Sequence, residues 1–472
     1  MIKATAGTWG NYALTLVFQV LFAAHYGTGL AASGFVIAFG AIVSLAGILI
    51  SGVQSVIIPR ILTESGAFVS QSVKFLVGVA ALALMLAVVI ALSADEVGRF
   101  AAQMLGLPTP LFVDLLRLSS MFLFLQVVGG ELAAVAVARG QRLMPALAPV
   151  FPSLLGCIAL VTYAHLDIRL TYLALVAGSV VQIAAVAIGV GRFRFAFDPI
   201  GGFGWTALGM AAVYGLLALI PPMERVLAAT HGASSAAQYD YAMRSLRAVQ
   251  QLILGGLFLA ALGDWSSHAL TVATGRLKAS LVSAACLAGV LLVLAASLAL
   301  VLGRDLVAVL YQHGRFLSTD TAAVTVVLIL ALPGFCSEGI GLIVSSALLA
   351  RKRNRTLMAI GTSNFGLRAV LLLLLGPPFG APGVAIAYSI TASVFLLVLI
   401  MAARRNGLWP SHSEVALYRA GFVTIGTVAS ACIVFAVGGA WPPFMSASIV
   451  VGVFAVLFLR FQPVPTPRLL PR

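Results

Sequence analysis

Apolar segments of about twenty residues recur from one end of the chain to the other, with short polar breaks between them. Each segment is long enough to cross about 30 Å of hydrocarbon as a helix. The segments are continuously apolar, which favours helices over the alternating strands of a membrane barrel. Because 61% of the 472 residues are hydrophobic and only 9% are charged, a water-soluble protein is excluded. The sequence predicts an all-α polytopic membrane protein.

About fourteen transmembrane helices are predicted. They lie near residues 8–25, 31–57, 72–93, 118–138, 144–163, 170–191, 205–230, 236–263, 279–302, 322–349, 356–376, 383–402, 417–438 and 441–460. The longest stretches between them, near 94–117 and 303–321, are too short to fold as separate domains. We therefore expect no soluble catalytic or nucleic-acid-binding module.

The net charge of +14 is dispersed among the short loops, so it indicates membrane topology rather than a nucleic-acid partner. With a cytoplasmic N-terminus, most loop Lys and Arg residues face the cytoplasm. The outward-facing basic residues are then Arg99, Arg117, Arg169, Arg304 and Arg315. The positive-inside rule thus predicts an inner-membrane protein with both termini in the cytoplasm.

A short internal repeat divides the chain. The sequence VAVAR at 135–139, followed by LMPA at 143–146, is echoed by ALLAR at 347–351 and LMAI at 357–360. The offset maps spans one to six onto spans seven to twelve, as in transporters that handle their substrate between two repeats. We expect two six-helix repeats, an N-lobe at 1–200 and a C-lobe at 201–406, plus two extra helices and a tail at 407–472. The two extra helices either face lipid or form a groove for a lipid tail.

Eight ionisable residues fall within the predicted spans. Each would cost about 2.5–3.5 kcal/mol at the bilayer centre if it faced lipid, so we expect them to face an interior cavity or one another. They are Glu131, Glu224, Arg225, Asp240, Arg244, Arg247, Glu338 and Arg368.

The densest group lies in spans seven and eight. A helical spacing of four, three and four places four polar side chains on one stripe. These are Asp240, Arg244, Arg247 and Gln251. With Arg225 the group is net basic and suits a diphosphate, which an arginine fork binds in bidentate fashion. The alternative is a neutral staple in which Asp240 pairs with Arg244, and Glu224 pairs with a neighbouring arginine.

The remaining buried charges leave two interpretations each. Arg368 is either a further phosphate ligand or bonds to carbonyls of a neighbouring helix. Five polar residues of the predicted cavity are candidates for proton or cation coupling: Glu131, Glu224, Asp240, Gln251 and Glu338. The alternative for Glu131 and Glu338 is an acid held between helices by protonation or hydrogen bonds. No histidine or cysteine pair has metal-ligand spacing and no phosphate-binding loop is present, so we expect no metal, cofactor or direct use of ATP.

Several segments resemble the MurJ (MviN) family of lipid II flippases. They are YGTGLAASGFVIA at 26–38, YDYAMR at 239–244, LYQHGRF at 310–316 with STDT at 318–321, ALLAR at 347–351 and PPFGAPGVA at 377–385. The resemblance implies a monomeric flippase rather than an enzyme. It would move an undecaprenyl-diphosphate-linked saccharide between leaflets by alternating access. Arg225 and Arg244 match the family's basic positions in spans seven and eight, whereas Arg247 and Arg368 are inferred from spacing alone.

The first two spans depart from that family, which carries arginines in span one and an aspartate at the start of span two. Here span one has Asn11, Gln19 and His25, and Ser33 stands at the aspartate position. The alternatives are a flippase for another lipid-linked glycan, such as an O-antigen or exopolysaccharide unit, or a cation-coupled exporter of small molecules. A membrane glycosyltransferase would need larger outer loops. A non-transporting scaffold would fit the missing charges.

Overall fold

The computed structural model describes residues 2–57, 68–138, 141, 143–163, 167–190, 195–196, 216–232, 234–270, 274–351, 353–409, 415–437 and 442–461. Nearly all of these residues are helical, as the continuous apolar segments predict. The exception is a parallel pair of two-residue strands, β1 (Phe68–Val69) and β2 (Phe195–Ala196).

Among the described residues, seven helices precede β2. They are α1 (Ile2–Tyr26), α2 (Leu30–Ile57), α3 (Ser70–Leu105), α4 (Thr109–Ala138), α5 (Leu143–Leu147), α6 (Val150–Thr162) and α7 (Ile168–Val190). The predicted span at 144–163 is therefore two helices. Pro149 precedes α6 and donates no backbone hydrogen bond, which explains why the helix stops and restarts there.

In the described part of the chain after β2, there are seven further helices. They are α8 (Ile220–Ala229), α9 (Ser235–Leu270), α10 (Thr274–Tyr311), α11 (Ser318–Ala350), α12 (Asn354–Arg405), α13 (Val415–Val437) and α14 (Pro443–Phe461). α12 contains both predicted spans 356–376 and 383–402. It is broken at Gly380, which has φ 59° and ψ −137°. This left-handed conformation favours glycine because a β-carbon would be strained.

Ten helical stretches of the described residues are long and apolar enough to cross a membrane, with Arg355–Arg405 counted as one. α1, α8 and α9 are not among them. α8 has only 10 residues, and α9 carries Asp240, Arg244 and Arg247 in its first half. The membrane character is thus confirmed for the described chain, and the total of fourteen spans stays a prediction.

The chain forms two compact units. The first contains Met1–Tyr241, Tyr311–Asp320 and Ala369–Val384; the second contains Ala242–Leu310, Thr321–Arg368 and Ala385–Arg472. Each passage of the chain between the units falls inside a helix, in α9, α10, α11 or α12. The predicted lobes at 1–200 and 201–406, with 407–472 beyond them, stay a proposal.

In the first unit, α4 packs against α2, α3 and α7. Ser119 donates to Tyr172, and Gln126 donates to Ser179; both pairs are 53 residues apart, so α4 and α7 run parallel. Phe35, Phe39, Phe122 and Tyr172 form an aromatic core between α2, α4 and α7.

In the second unit, the last two helices pack against α10. Ala431 and Val434 of α13 contact Val450 of α14, and side chains from α10 such as Leu294 and Leu298 complete the cluster. One face of α13 and α14 is therefore covered by α10.

Candidate functional site

A buried ion pair joins α8 to α9 in the first unit. Arg225 donates from Nη2 and Nε to Oδ1 of Asp240, over 2.7 Å and 2.8 Å. The two residues are 8% and 2% exposed. Asp240, the first member of the predicted polar stripe, thus accepts bonds from the span-seven arginine and balances its charge. Replacing one partner of such a pair would leave the other buried and uncompensated.

The ion pair lies against the backbone of α2. A β-carbon on Gly40 would lie 2.6 Å from Nη1 and 2.7 Å from Cζ of Arg225. Glycine at this position therefore makes room for the guanidinium, whose orientation is fixed by Asp240. Glu224, the preceding residue on α8, is fully buried.

The rest of the predicted stripe continues along α9. Arg244, Arg247 and Gln251 are half-buried and lie on the same helix as Asp240, with the spacing that puts them on one face. Beyond Tyr241 this helix belongs to the second unit. α9 thus begins with a buried ion pair and continues with two arginines.

Glu338 and Arg368 are brought together in the second unit by a residue that the sequence analysis did not single out. Tyr388 of α12 donates from its hydroxyl to Oε2 of Glu338 on α11, over 2.5 Å. Arg368 lies with its guanidinium carbon 4.8 Å from the centroid of the same ring, a cation–π contact. A β-carbon on Gly334 would lie 2.5 Å from the ring, so this glycine admits it. In the sequence, a glycine at position 334 is compatible with a large side chain packed against α11 at that point.

Glu131 lies apart from the other candidates, on α4 of the first unit. It is 7% exposed, and its Oε1 atom has no hydrogen-bond partner among the described residues. Of the nine predicted site residues, the structure thus joins Arg225 with Asp240, and Glu338 with Arg368 through Tyr388. Arg244, Arg247 and Gln251 follow Asp240 on α9.

A set of contacts that we call the outer latch closes one end of the first unit. It consists of residues 24–28, residues 311–320 and Tyr241. The backbone N–H of Arg315 donates to the carbonyl of Ala24 over 2.9 Å. Thr28 donates to Oδ1 of Asp320 over 2.6 Å, and Tyr241 donates to the carbonyl of Gly27 over 2.9 Å. The predicted topology places the latch at the outer membrane surface.

Glycines allow the two loops of the latch to approach. Gly27 has φ 58° and Gly314 has φ 59°. A β-carbon on Gly27 would lie 2.7 Å from the carbonyl oxygen of Arg315, and one on Gly314 would lie 2.3 Å from that of Ala24. Tyr241 packs against two further aromatic rings of the latch, Tyr311 and Phe316. Their rings and the three hydrogen bonds leave the latch closed.

Known proteins share this architecture. A family model described as "Lipid II flippase MurJ" matches residues 22–455. The solved structure of a lipid II flippase MurJ in an inward closed conformation has a TM-score of 0.79 and 17% identity, and covers 98% of each chain.

More distant structures share the fold. An inward-facing multidrug transporter of the MATE family has a TM-score of 0.63 and 16% identity over 85% of this chain and 95% of its own. A transporter of the same superfamily from Pyrococcus furiosus has a TM-score of 0.61 and 15% identity over 86% and 94%. Curated protein sequences gave no match. Since the family model matches nearly the whole chain, the protein belongs to the MurJ lipid II flippase family.

Proposed function

We propose that this protein is a flippase for an undecaprenyl-diphosphate-linked saccharide, with the peptidoglycan precursor lipid II as its substrate. Its work is transport across the bacterial inner membrane rather than catalysis. The observation that carries the proposal is the pair of half-buried arginines, Arg244 and Arg247, on the polar stripe of α9. Family membership supports the same substrate class.

The buried charges favour these two arginines as the diphosphate ligands. Arg225 is balanced by Asp240 at 2.7 Å, and Arg368 is linked to Glu338 through Tyr388. Arg244 and Arg247 lie one turn apart on one face of α9 and are half-buried. Guanidinium groups bind phosphate oxygens in pairs and stay charged at any physiological pH, so an anionic headgroup is the ligand that this face suits.

The transport mechanism that we propose is alternating access between the lobes at 1–200 and 201–406. With the outer latch closed, the cavity would take its substrate from the cytoplasmic side. Release to the outer leaflet then requires the bonds Thr28–Asp320 and Tyr241–Gly27 to break. We further propose that one chain suffices and that both termini are cytoplasmic.

Complementation tests the substrate. A host depleted of its own lipid II flippase would express the native chain, the Arg244→Ala chain or the Arg304→Ala chain, with membrane insertion confirmed for each. We expect growth with the native chain and with Arg304→Ala, whose site lies in the predicted outer loop, and lysis with Arg244→Ala. Lysis with all three chains would contradict lipid II as substrate. Growth with all three would contradict the assignment of Arg244.

A second candidate is an O-antigen or exopolysaccharide unit on the same diphosphate carrier. It is favoured by the uncharged start of the first unit, where Gln19 and Ser33 are 7% and 0% exposed. Their buried oxygens have no hydrogen-bond partner among the described residues. Rescue of a strain that lacks its O-antigen flippase, without rescue of the lipid II flippase depletion, would select this candidate.

A further inference from the structure

Glu131 lies on a face of α4 whose other neighbouring side chains are apolar. It lies on the stripe of α4 that includes Val127, Ala134 and Val135, spaced by three and four residues along one face. Those neighbours are 0%, 1% and 3% exposed, and Glu131 is 7% exposed. A carboxyl group therefore stands in the apolar contact surface of a predicted membrane span.

The described surroundings supply neither a hydrogen bond to its Oε1 atom nor an ion pair to the group. α4 packs against α2, α3, α5 and α7. α2 and α5 contain no ionisable residue. The ionisable residues of the other packed helices and of α4 itself are Lys74, Asp95, Glu96, Arg99, Asp114, Arg117, Arg169 and Tyr172.

All but one of these groups lie at the far end of the helices. Tyr172 contacts α4 at Ser119, about 18 Å along the helix axis from Glu131 by the usual rise per residue. Arg117 pairs with Asp95 still nearer the start of α4, over 2.8 Å. Lys74 begins α3 near the other end, and its side chain lies outside the described residues.

An ionised carboxylate in such a place is costly, because a charge in the membrane interior needs a partner or water. A proton needs only one carboxylate oxygen to bind, and it neutralises the charge of the group. A metal ion instead requires several oxygen ligands. The nearby polar group, Gln126, is already bonded to Ser179 and Gln182, and no group of three His, Cys, Asp or Glu suited to a metal occurs among the described residues.

The charge balance of the first unit points the same way. Its buried charged residues, among those described, are Glu131, Glu224, Arg225 and Asp240. They are one arginine and three carboxyl groups. Arg225 is paired with Asp240 on α8 and α9, so this arginine supplies no counter-charge to Glu131 on α4.

We propose that Glu131 is a proton-binding site: its carboxyl group holds a proton in this conformation and exchanges it with water during transport. The proton binding stands on the geometry of α4 alone. The exchange during transport rests on the proposed flippase function, and it would make transport depend on pH through a residue remote from the diphosphate-binding arginines.

Infrared spectroscopy of the full chain in lipid nanodiscs tests proton binding without any substrate. A protonated carboxyl has a carbonyl band separate from the carboxylate bands, and isotope-labelled glutamate identifies it as a glutamate band. At neutral pH we expect this band in the native chain, its loss in Glu131→Gln and in Glu131→Leu, and its retention in Glu96→Gln. Glu96 is an exposed residue of α3 and serves as the matched control.

An unchanged band in both Glu131 variants would overturn the proposal, as would its absence from the native chain. The second result would indicate that Glu131 is ionised and paired, with Lys74 as the candidate partner. Two variants are used because leucine suits the apolar stripe if the amide of glutamine does not.

Transport in proteoliposomes tests the exchange. Movement of a fluorescent undecaprenyl-diphosphate-linked saccharide would be followed across a pH series through neutrality. We expect the native chain and Glu96→Gln to show a pH-dependent rate and Glu131→Gln to show a flat one. Parallel profiles in all three would overturn the exchange. Absence of movement in the native chain at every pH would instead contradict the flippase function, with the infrared result unaffected.

Discussion

Tyr388 donates its hydroxyl proton to Glu338 over 2.5 Å, and the same ring lies beneath the guanidinium group of Arg368. One aromatic side chain thus connects a half-buried acid on α11 with a buried base on α12. The two charges do not touch in an ion pair of their own, since the tyrosine stands between them. The hydroxyl is the part of this arrangement that a single conservative substitution removes.

Tyr388→Phe keeps the ring beneath Arg368 and leaves Glu338 without the donated bond. Loss of a hydrogen bond to a carboxyl group that is only partly accessible to water costs roughly 1–3 kcal/mol. We expect a lower midpoint of thermal unfolding in detergent, measured by intrinsic fluorescence. Tyr163→Phe is the control because Tyr163 is 63% exposed and should tolerate the change. Equal midpoints for both variants would contradict a structural role for the Tyr388 hydroxyl.

Tyr172→Phe should be much milder although Tyr172 is fully buried. Its hydroxyl oxygen is one of two acceptors within reach of the single Ser119 hydroxyl proton, and the other is the carbonyl of Leu115 at 2.6 Å. Without the tyrosine oxygen, Ser119 keeps that second acceptor, so we expect a loss near the usual net value of about 0.5–1.5 kcal/mol. A loss larger than that of Tyr388→Phe, in the same unfolding assay, would show that burial alone sets the cost.

Gly40→Ala should disrupt the Arg225–Asp240 pair. The new β-carbon would lie 2.6 Å from Nη1 of Arg225, which cannot move without leaving Asp240. We expect lower thermal stability and loss of complementation. Gly47→Ala on the same helix is the matched control because no atom lies within 4 Å of its β-carbon.

At Gly47 the alanine should stabilise α2 by about 0.5–1 kcal/mol through its better helix propensity. Opposite signs for the two substitutions are therefore expected. Similar shifts for both would mean that Arg225 adjusts without cost, and that the contact with α2 does not hold the ion pair.

Gly27→Ala should open the outer latch. Its β-carbon would lie 2.7 Å from the carbonyl oxygen of Arg315, at a φ of 58° that alanine adopts with strain. The readout is labelling by a membrane-impermeant maleimide of Phe316→Cys, a site that is 2% exposed. The four native cysteines would first be replaced. We expect faster labelling with Gly27→Ala and an unchanged rate with Gly29→Ala.

Gly29 is a suitable control because it lies in the same loop and its β-carbon would have no contact closer than 3.6 Å. Equal labelling in the two backgrounds would indicate that the latch tolerates the clash. In that case the hydrogen bond from Thr28 to Asp320, rather than the close backbone approach, would hold the loops together.

The sequence predicted the helical class and most helix positions because hydrocarbon leaves few choices: a long apolar segment must satisfy its backbone internally. α2 and α11 match their predicted spans closely, whereas α4 ends where its span was predicted to end but begins nine residues earlier. The breaks were harder to predict. Pro149 divides one span in two, and Gly380 allows two spans to run on without a loop, because these features depend on single backbone conformations.

The site was predicted as a set of residues rather than as a set of pairs. Helical spacing placed Asp240, Arg244 and Arg247 on one stripe, but spacing within a helix says nothing about the helix opposite. The partner of Asp240 proved to be Arg225, 15 positions earlier on another helix. Tyr388 was not predicted because one tyrosine in an apolar span forms no pattern, and its close approach to Gly334 is visible only in the structure.

The turn at Gly380 also determines what the protein exposes beyond the membrane. Gly380 is packed against His231, and Gly376 against Leu227. The exposed residues of the turn are Pro377, Pro378 and Phe379, none of which carries a charge or a hydrogen-bonding side chain. Such a turn would rest among lipid headgroups rather than project into water. In the predicted topology this turn faces the periplasm. It would therefore present neither an accessible epitope to an antibody nor a cleavage site to a protease.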